Sequence, residues 1–220
     1  MNLLQKIFSF IYPIKIKSIP SKHSGTLEVT LVNGKLVIDS ENANYSYGSL
    51  QQVLKKGLLH IGLKQLQELQ SILVLGVAGG SVIKTLRDDF KIDAKITGIE
   101  IDADVIELAN TYFELHKTIN LELITADAFN YIATSNSTFD LIIIDIFNDM
   151  QMPDELFKHK FWNNTLNLLN INGLCLFNSI YTSSKNIHRN DDLKTQLATQ
   201  FSTLTYIKTN TINELFILKK

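Results

Sequence analysis

The chain has 220 residues, 45% hydrophobic and 20% charged, with a formal net charge of −1. That describes a globular protein with room for a sizeable core in one main domain. A charge near zero, with acids and bases spread along the chain, removes the electrostatic basis for non-specific nucleic-acid binding. The single cysteine, Cys175, cannot form an internal disulfide and sits in an apolar run as a small core residue. The five histidines are scattered and no His/Cys group has metal-ligand spacing, so no metal is expected.

The chain opens with Leu3, Leu4, Ile7, Phe8, Phe10, Ile11 and Tyr12, interrupted by Lys6 and followed by Lys15 and Lys17. The apolar run is too short to span a bilayer, so no transmembrane segment is expected. No small-residue cleavage site follows it, and a cytoplasmic protein is expected. The segment is read as packing on its own domain or on a second subunit, although an amphipathic surface segment is compatible with it. Residues 25–39 read as a β-hairpin: polar and apolar residues alternate on either side of Asn33-Gly34, a strong turn signal. The apolar start and the exposed hairpin need cover, and a homodimer is the simplest source. Residues 42–49 form a polar, aromatic loop with Tyr45, Tyr47 and Gly48. A helix is expected over 50–69, with Val53, Leu54, Leu58, Ile61 and Leu66 on its buried side.

Residues 72–102 organise the rest. Residues 72–75 are an unbroken apolar strand of the kind buried on both faces. Gly76, Gly79 and Gly80 follow, where a tight turn and close approach of a ligand are possible. Val82, Ile83 and Leu86 fall at helical spacing, 96–99 form a second strand, and Glu100 sits at its carboxyl end. Strand, glycine turn, helix, strand and acid make the first half of a nucleotide-binding α/β unit, with the acid placed to reach a ribose hydroxyl. The glycine spacing is not the G-x-G-x-x-G of most dinucleotide folds.

Asp102 can cap a helix carrying Val105, Ile106, Ala109, Tyr112 and Phe113. Residues 121–124 are a third strand, with Asp127-Ala128 and a short helix after it. Residues 139–144 are a fourth strand, apolar except for Asp140 and followed by Asp145. A helix over 154–169, a strand over 174–177 entered through Asn172-Gly173, a helix over 191–201 and an antiparallel pair over 203–208 and 214–218 complete the chain. Alternating strands and helices predict a parallel sheet covered on both faces, with ligands bound beyond the strand carboxyl ends. Glu100, Asp127 and Asp145 should therefore converge on one crevice.

The quoted motifs Val74-Leu75-Gly76-Val77-Ala78-Gly79-Gly80-Ser81, Gly98-Ile99-Glu100-Ile101-Asp102, Ala126-Asp127-Ala128 and Asp140–Asp145 give a resemblance. In order and content they resemble the spermidine synthase family, which has the fold of class I S-adenosylmethionine methyltransferases. Met152–Phe157 and Leu169–Leu174 also fit. The resemblance implies a Rossmann-like, mostly parallel seven-stranded sheet with its last strand antiparallel, plus a small N-terminal β-hairpin unit. The implied division is 1–48 for the N-terminal unit and 49–220 for the nucleoside-binding domain.

The donor would be S-adenosylmethionine or its decarboxylated form, and the acceptor a small amine. By the same resemblance, Gly76, Val77, Ala78, Gly79 and Gly80 would line the donor's amino-acid or aminopropyl arm. Glu100, with Ile101 beside it, would bind the ribose hydroxyls, and Asp127 and Ala128 the adenine. Asp145 would take a proton from the attacking amine, with Tyr47 and Asn148 on the acceptor side. Three departures stand out. Gly79 occupies the place of an aspartate that faces the donor's amine in spermidine synthases. Its absence leaves room for a donor carboxylate near a helix N-terminus and points to S-adenosylmethionine itself. Ala43-Asn44 stand where an acidic pair usually precedes the family's tyrosine, and Asn148 replaces the second aspartate of Asp-x-x-Asp. These losses leave a noncatalytic relative acting through a partner as an alternative. A nicotinamide-dependent oxidoreductase is the third reading.

Overall fold

A computed structural model describes residues 3–40, 49–148, 151–209 and 212–220. The N-terminal unit is a three-stranded antiparallel sheet of β1 (Ile14–Ser21), β2 (Gly25–Val32) and β3 (Lys35–Ser40). The β2–β3 hairpin closes around Asn33-Gly34 as expected, with Val32 opposite Lys35. Strand β1 was not anticipated. Its Ile14, Ile16 and Ile19 alternate with lysines, and a bulge lies between Lys15 and Lys17. Lysines and bulges are what blunt an edge strand, and they hid its periodicity inside the basic, apolar start of the chain. Leu27, Val29 and Ile38 are fully buried against Val105, Leu108 and Phe113 of helix α5 (Ala103–Phe113).

A short helix α1 (Leu3–Phe8) leads to the hairpin turn, where Asn33 N donates to Ser9 O (2.9 Å) and Gly34 N to Ser9 Oγ (2.8 Å). It does not bury its apolar side on its own domain: Leu3, Leu4, Ile7 and Phe8 are 73%, 60%, 55% and 58% exposed.

The expected helix over 50–69 breaks at Gly62 into α2 (Ser49–Ile61) and α3 (Leu63–Gln67), with Val53, Leu54, Leu58 and Leu66 buried. The main sheet follows. Its strands are β4 (Ser71–Leu75), β5 (Lys95–Glu100), β6 (Leu121–Thr125), β7 (Phe139–Ile144), β8 (Leu169–Ile180), β9 (Thr203–Lys208) and β10 (Asn213–Lys219). Their spatial order is β6-β5-β4-β7-β8-β10-β9; β10 runs antiparallel to both its neighbours and the first five strands in that order are parallel. On one face α2, α3 and α4 (Ser81–Lys84) cover Ile72, Val74, Ile143 and Leu176. On the other, α6 (Ala128–Thr134), α7 (His159–Leu168) and α8 (Ser184–Leu197) cover Leu73, Leu75, Phe177 and Phe216, with Trp162 edge-on to Phe177 at 5.3 Å.

Two boundaries move. The helix expected over 154–169 is a tight 3₁₀ turn at Asp154–Phe157 followed by α7. Helix α8 starts seven residues before the expected 191, capped by Ser183, whose Oγ accepts from Asn186 N at 3.2 Å. Asp140 lies at the amino end of β7, accepting from Gln70 N, Ser71 N and Asn170 Nδ2, far from the carboxyl ends. No helix among the described residues is long and apolar enough to cross a membrane.

The chain moves outward from β4 to β5 and β6, then returns across the sheet to β7. That reversal opens a crevice between β4 and β7 at their carboxyl ends, the place where open α/β sheets bind ligands.

Candidate active site

The register puts the acids in line. Leu75 of β4 pairs with Ile99 of β5 on one side and Ile144 of β7 on the other. Glu100 and Asp145 therefore stand one strand to either side of Gly76, about 10 Å apart at ordinary strand spacing. Glu100 pairs with Thr125, and Asp127 follows two residues later.

The glycine loop is held from both sides. Gly76 N donates to Ile99 O at 3.0 Å, and Asp145 N donates to Leu75 O at 2.9 Å. Gly76 has φ of 85°, and a Cβ there would lie 2.2 Å from the Asp145 carbonyl oxygen. Ala78 adopts the left-handed region at φ 47°, while Gly79 and Gly80 are buried.

Glu100 ties this loop down. Its Oε2 accepts from Val77 N (3.1 Å) and Ala78 N (2.9 Å), and its Oε1 from Asp102 N (3.2 Å). It is 7% exposed, and burial raises its pKa against those three opposing bonds. A carboxylate has about four acceptor sites, so these three bonds leave one acceptor site, on Oε1. Ile101, beside it, is 43% exposed. Asp102 caps α5, accepting from Asp104 N at 3.0 Å, and its other oxygen accepts from Ser21 Oγ (2.5 Å) and Ser24 Oγ (2.6 Å). The β1–β2 turn thus pins the segment after Glu100. The sequence could not supply this link, because the serines lie about eighty residues away.

Asp127 is half-buried and caps α6 through Asn130 N at 2.8 Å, so it is both a strand-end acid and a helix cap; Ala128 opens that helix. Asp145 is half-buried at the mouth of the crevice, deep enough that burial pushes its carboxyl up to about 6. One bond opposes the shift: Asn178 Nδ2 donates to Asp145 Oδ1 at 2.8 Å. Asn178 was not singled out by sequence. Asn148 is exposed and exchanges backbone hydrogen bonds with Gln151. Tyr47 lies outside the described residues. Among those described, no cluster of three or more His, Cys, Asp or Glu side chains could hold a metal ion. Cys175 is buried, which pushes its thiol pKa up and leaves it unreactive.

The structure brings together the glycine loop, Glu100 and Asp145 at neighbouring strand ends, with Asp127 one strand further out. A loop held by a buried acid and a half-buried carboxylate raised to about 6 can hold a polar ligand and take a proton from it near neutral pH.

The fold is that of class I methyltransferase-like proteins. Human methyltransferase-like protein 13, solved in complex with SAH, superposes with a TM-score of 0.66 at 21% identity, covering 78% of this chain and 82% of that one. A spermidine synthase solved with the transition-state analogue AdoDATO gives 0.73 at 17% identity, covering 94% and 74%. The chain belongs to the spermine/spermidine synthase domain family, whose pattern matches residues 51–212. It is 28% identical over 153 residues to a probable polyamine aminopropyl transferase of Bifidobacterium longum, covering 68% of this chain and 34% of that protein. It is 30% identical over 135 residues to a polyamine aminopropyltransferase of Buchnera aphidicola, covering 59% and 47%. The chain thus spans a third to a half of the length of these curated relatives.

Proposed function

We propose that the crevice binds a sulfonium nucleoside of the S-adenosylmethionine class and transfers its aminopropyl or methyl group to a small amine. The observation that carries this reading is the placement of Asp145: a half-buried carboxylate, raised to about 6 by burial, one strand from a glycine loop tied to a buried acid. A free amine has a pKa near 10 and is mostly protonated at neutral pH. Asp145 accepts one of its protons; the freed lone pair forms the new C–N bond as the C–S bond breaks, and the sulfur leaves as a neutral thioether. Gly76–Gly80 line the donor's amino-acid or aminopropyl arm, Glu100 holds ribose and Asp127 faces adenine. Asn148 is assigned to the acceptor side, and so is Tyr47, which is outside the described residues and is assigned by the family resemblance alone. The same reading includes a homodimer over the exposed apolar residues of 3–12; sedimentation of a monomer at tens of micromolar would remove that part.

Within this reading Gly79 favours S-adenosylmethionine over its decarboxylated form, because it presents no acid against the donor carboxylate; with that donor the group transferred is the methyl, and aminopropyl transfer belongs to the decarboxylated form. Gly79→Asp should reverse the preference, adding repulsion to the carboxylate and a partner for the amine. A like-charge contact in a partly desolvated site is worth on the order of 1–3 kcal/mol. The ratio of the two dissociation constants should therefore move by roughly tenfold to a hundredfold. Calorimetry on both variants reads it directly; an unchanged ratio means Gly79 shapes the turn only and does not choose the donor.

A further inference from the structure

We propose that Asn178 is the positioning residue of the Asp145 carboxylate, and that Asn213, on the antiparallel strand β10, sets which way the Asn178 amide faces. The proposal rests on reading Asp145 as the base, but its geometry stands independently. Ile144 of β7 pairs with Phe177 of β8, so Asp145 and Asn178 are the next residues along two adjacent parallel strands. Asn213 pairs with Ile180, two residues beyond Asn178, so the two asparagines share a face of the sheet.

Asn178 is fully buried and Asn213 is 4% exposed. Buried amides need partners on both ends. Asn178 has them: its Nδ2 donates to Asp145 Oδ1 at 2.8 Å, and its Oδ1 accepts from Asn213 Nδ2 at 3.0 Å. Turning the Asn178 amide over would set oxygen against carboxylate oxygen and N–H against N–H. With Asp145 ionised, the Asn178 amide therefore has one self-consistent orientation, which the bond from Asn213 reinforces.

Its effect on the site follows. The Asn178 bond occupies Oδ1, and among the described residues it is the one side-chain hydrogen bond to that carboxylate. Oδ2 is left as the oxygen that meets a substrate proton. Among the described residues, the charged groups flanking the crevice are Glu100, one strand beyond β4, and Asp127, beyond β6; burial and the Asn178 bond are what move Asp145. A donor to the ionised form counteracts burial. Without it, Asp145 would hold its own proton at neutral pH and could not take another.

The test is the titration of the Asp145 carboxyl carbon by NMR in the full-length, ligand-free chain, for wild type, Asn178→Leu and Asn213→Ala. The wild-type midpoint should lie near 6. Asn178→Leu should raise it by roughly one to two pH units, the equivalent of a hydrogen bond to a charged group. Asn213→Ala should raise it by a smaller amount, and keeps the test available if the leucine variant does not fold. In amine-transfer assays the acid limb of the rate profile should move by the same amount, with kcat falling at neutral pH and donor KM kept. An Asp145 midpoint unmoved in the folded variants would overturn the proposal, and so would an equal loss at every pH. A shifted midpoint in a protein that transfers nothing would leave the positioning intact and remove the transferase reading instead.

Discussion

Asp145→Asn should abolish amine transfer and at the same time stabilise the fold above pH 6. The kinetic half follows from proton bookkeeping: asparagine cannot take the amine proton, and losing a general base costs typically 10²–10⁴-fold. Donor affinity should hold, because the glycine loop and Glu100 are untouched. The stability half follows from linkage. The folded-state pKa is raised from 3.8 to about 6 by burial, so the folded state binds its proton more tightly than the unfolded chain does. The stability from this group is fully present below pH 3.8 and lost as pH rises through 6. Above that, an ionised, poorly solvated carboxylate costs the fold about 2 kcal/mol, discounted for its partial exposure. Asparagine keeps an oxygen for Asn178 and carries no charge. Melting curves at pH 5 and pH 8 should show the variant's advantage growing with pH, to several degrees at pH 8. Asp39, also raised to about 6 by burial and then by Glu28, keeps some acid-favoured stability in both proteins. A variant that still transfers at the wild-type rate would remove Asp145 from the chemistry; turnover lost in the variant would exclude a noncatalytic protein.

Gly76→Ala should destabilise the fold severely. The residue sits at φ 85°, and the added carbon would lie 2.2 Å from the carbonyl oxygen of Asp145. Neither strand can yield cheaply. Asp145 N is bonded to Leu75 O at 2.9 Å and Gly76 N to Ile99 O at 3.0 Å, so separating β4 from β7 breaks the sheet at its centre. A loss of about 4 kcal/mol or more is expected, out of a total stability of roughly 5–15 kcal/mol. Gly25→Ala is the control: its φ is 68°, and a Cβ there would meet nothing within 4 Å. It bears the backbone penalty alone, about 1 kcal/mol. Urea unfolding of the pair separates the two terms, and equal losses would mean that the close approach to Asp145 does not matter.

Much of the fold is legible in the sequence because the central strands are buried on both faces. Residues 72–75, 96–99 and 141–144 carry no polar alternation, and the residues that end them are therefore conspicuous: Gly76, Glu100, Asp145. Strand β1 was not legible, since its lysine-rich alternation reads equally as a surface segment. The start of α8 was missed because its first turn is polar and its one buried polar residue, Asn190, is paired with Ser179 on the preceding strand and Glu214 on β10. The site's supporting residues share that property. Asn178 and Asn213 lie 35 residues apart and meet only through the β8–β10 register. Ser21 and Ser24 meet Asp102 across roughly eighty residues. An acid at a strand end announces itself; an amide that orients it is visible only once the strands are aligned.

The central claim is that this crevice binds a sulfonium nucleoside. Isothermal titration of the wild-type chain with S-adenosylmethionine, its decarboxylated form and methylthioadenosine tests it most directly. At least one of the three should bind one-to-one below millimolar concentration, with S-adenosylmethionine tighter than its decarboxylated form. No heat from any of the three at millimolar concentration, with the chain folded, would contradict it.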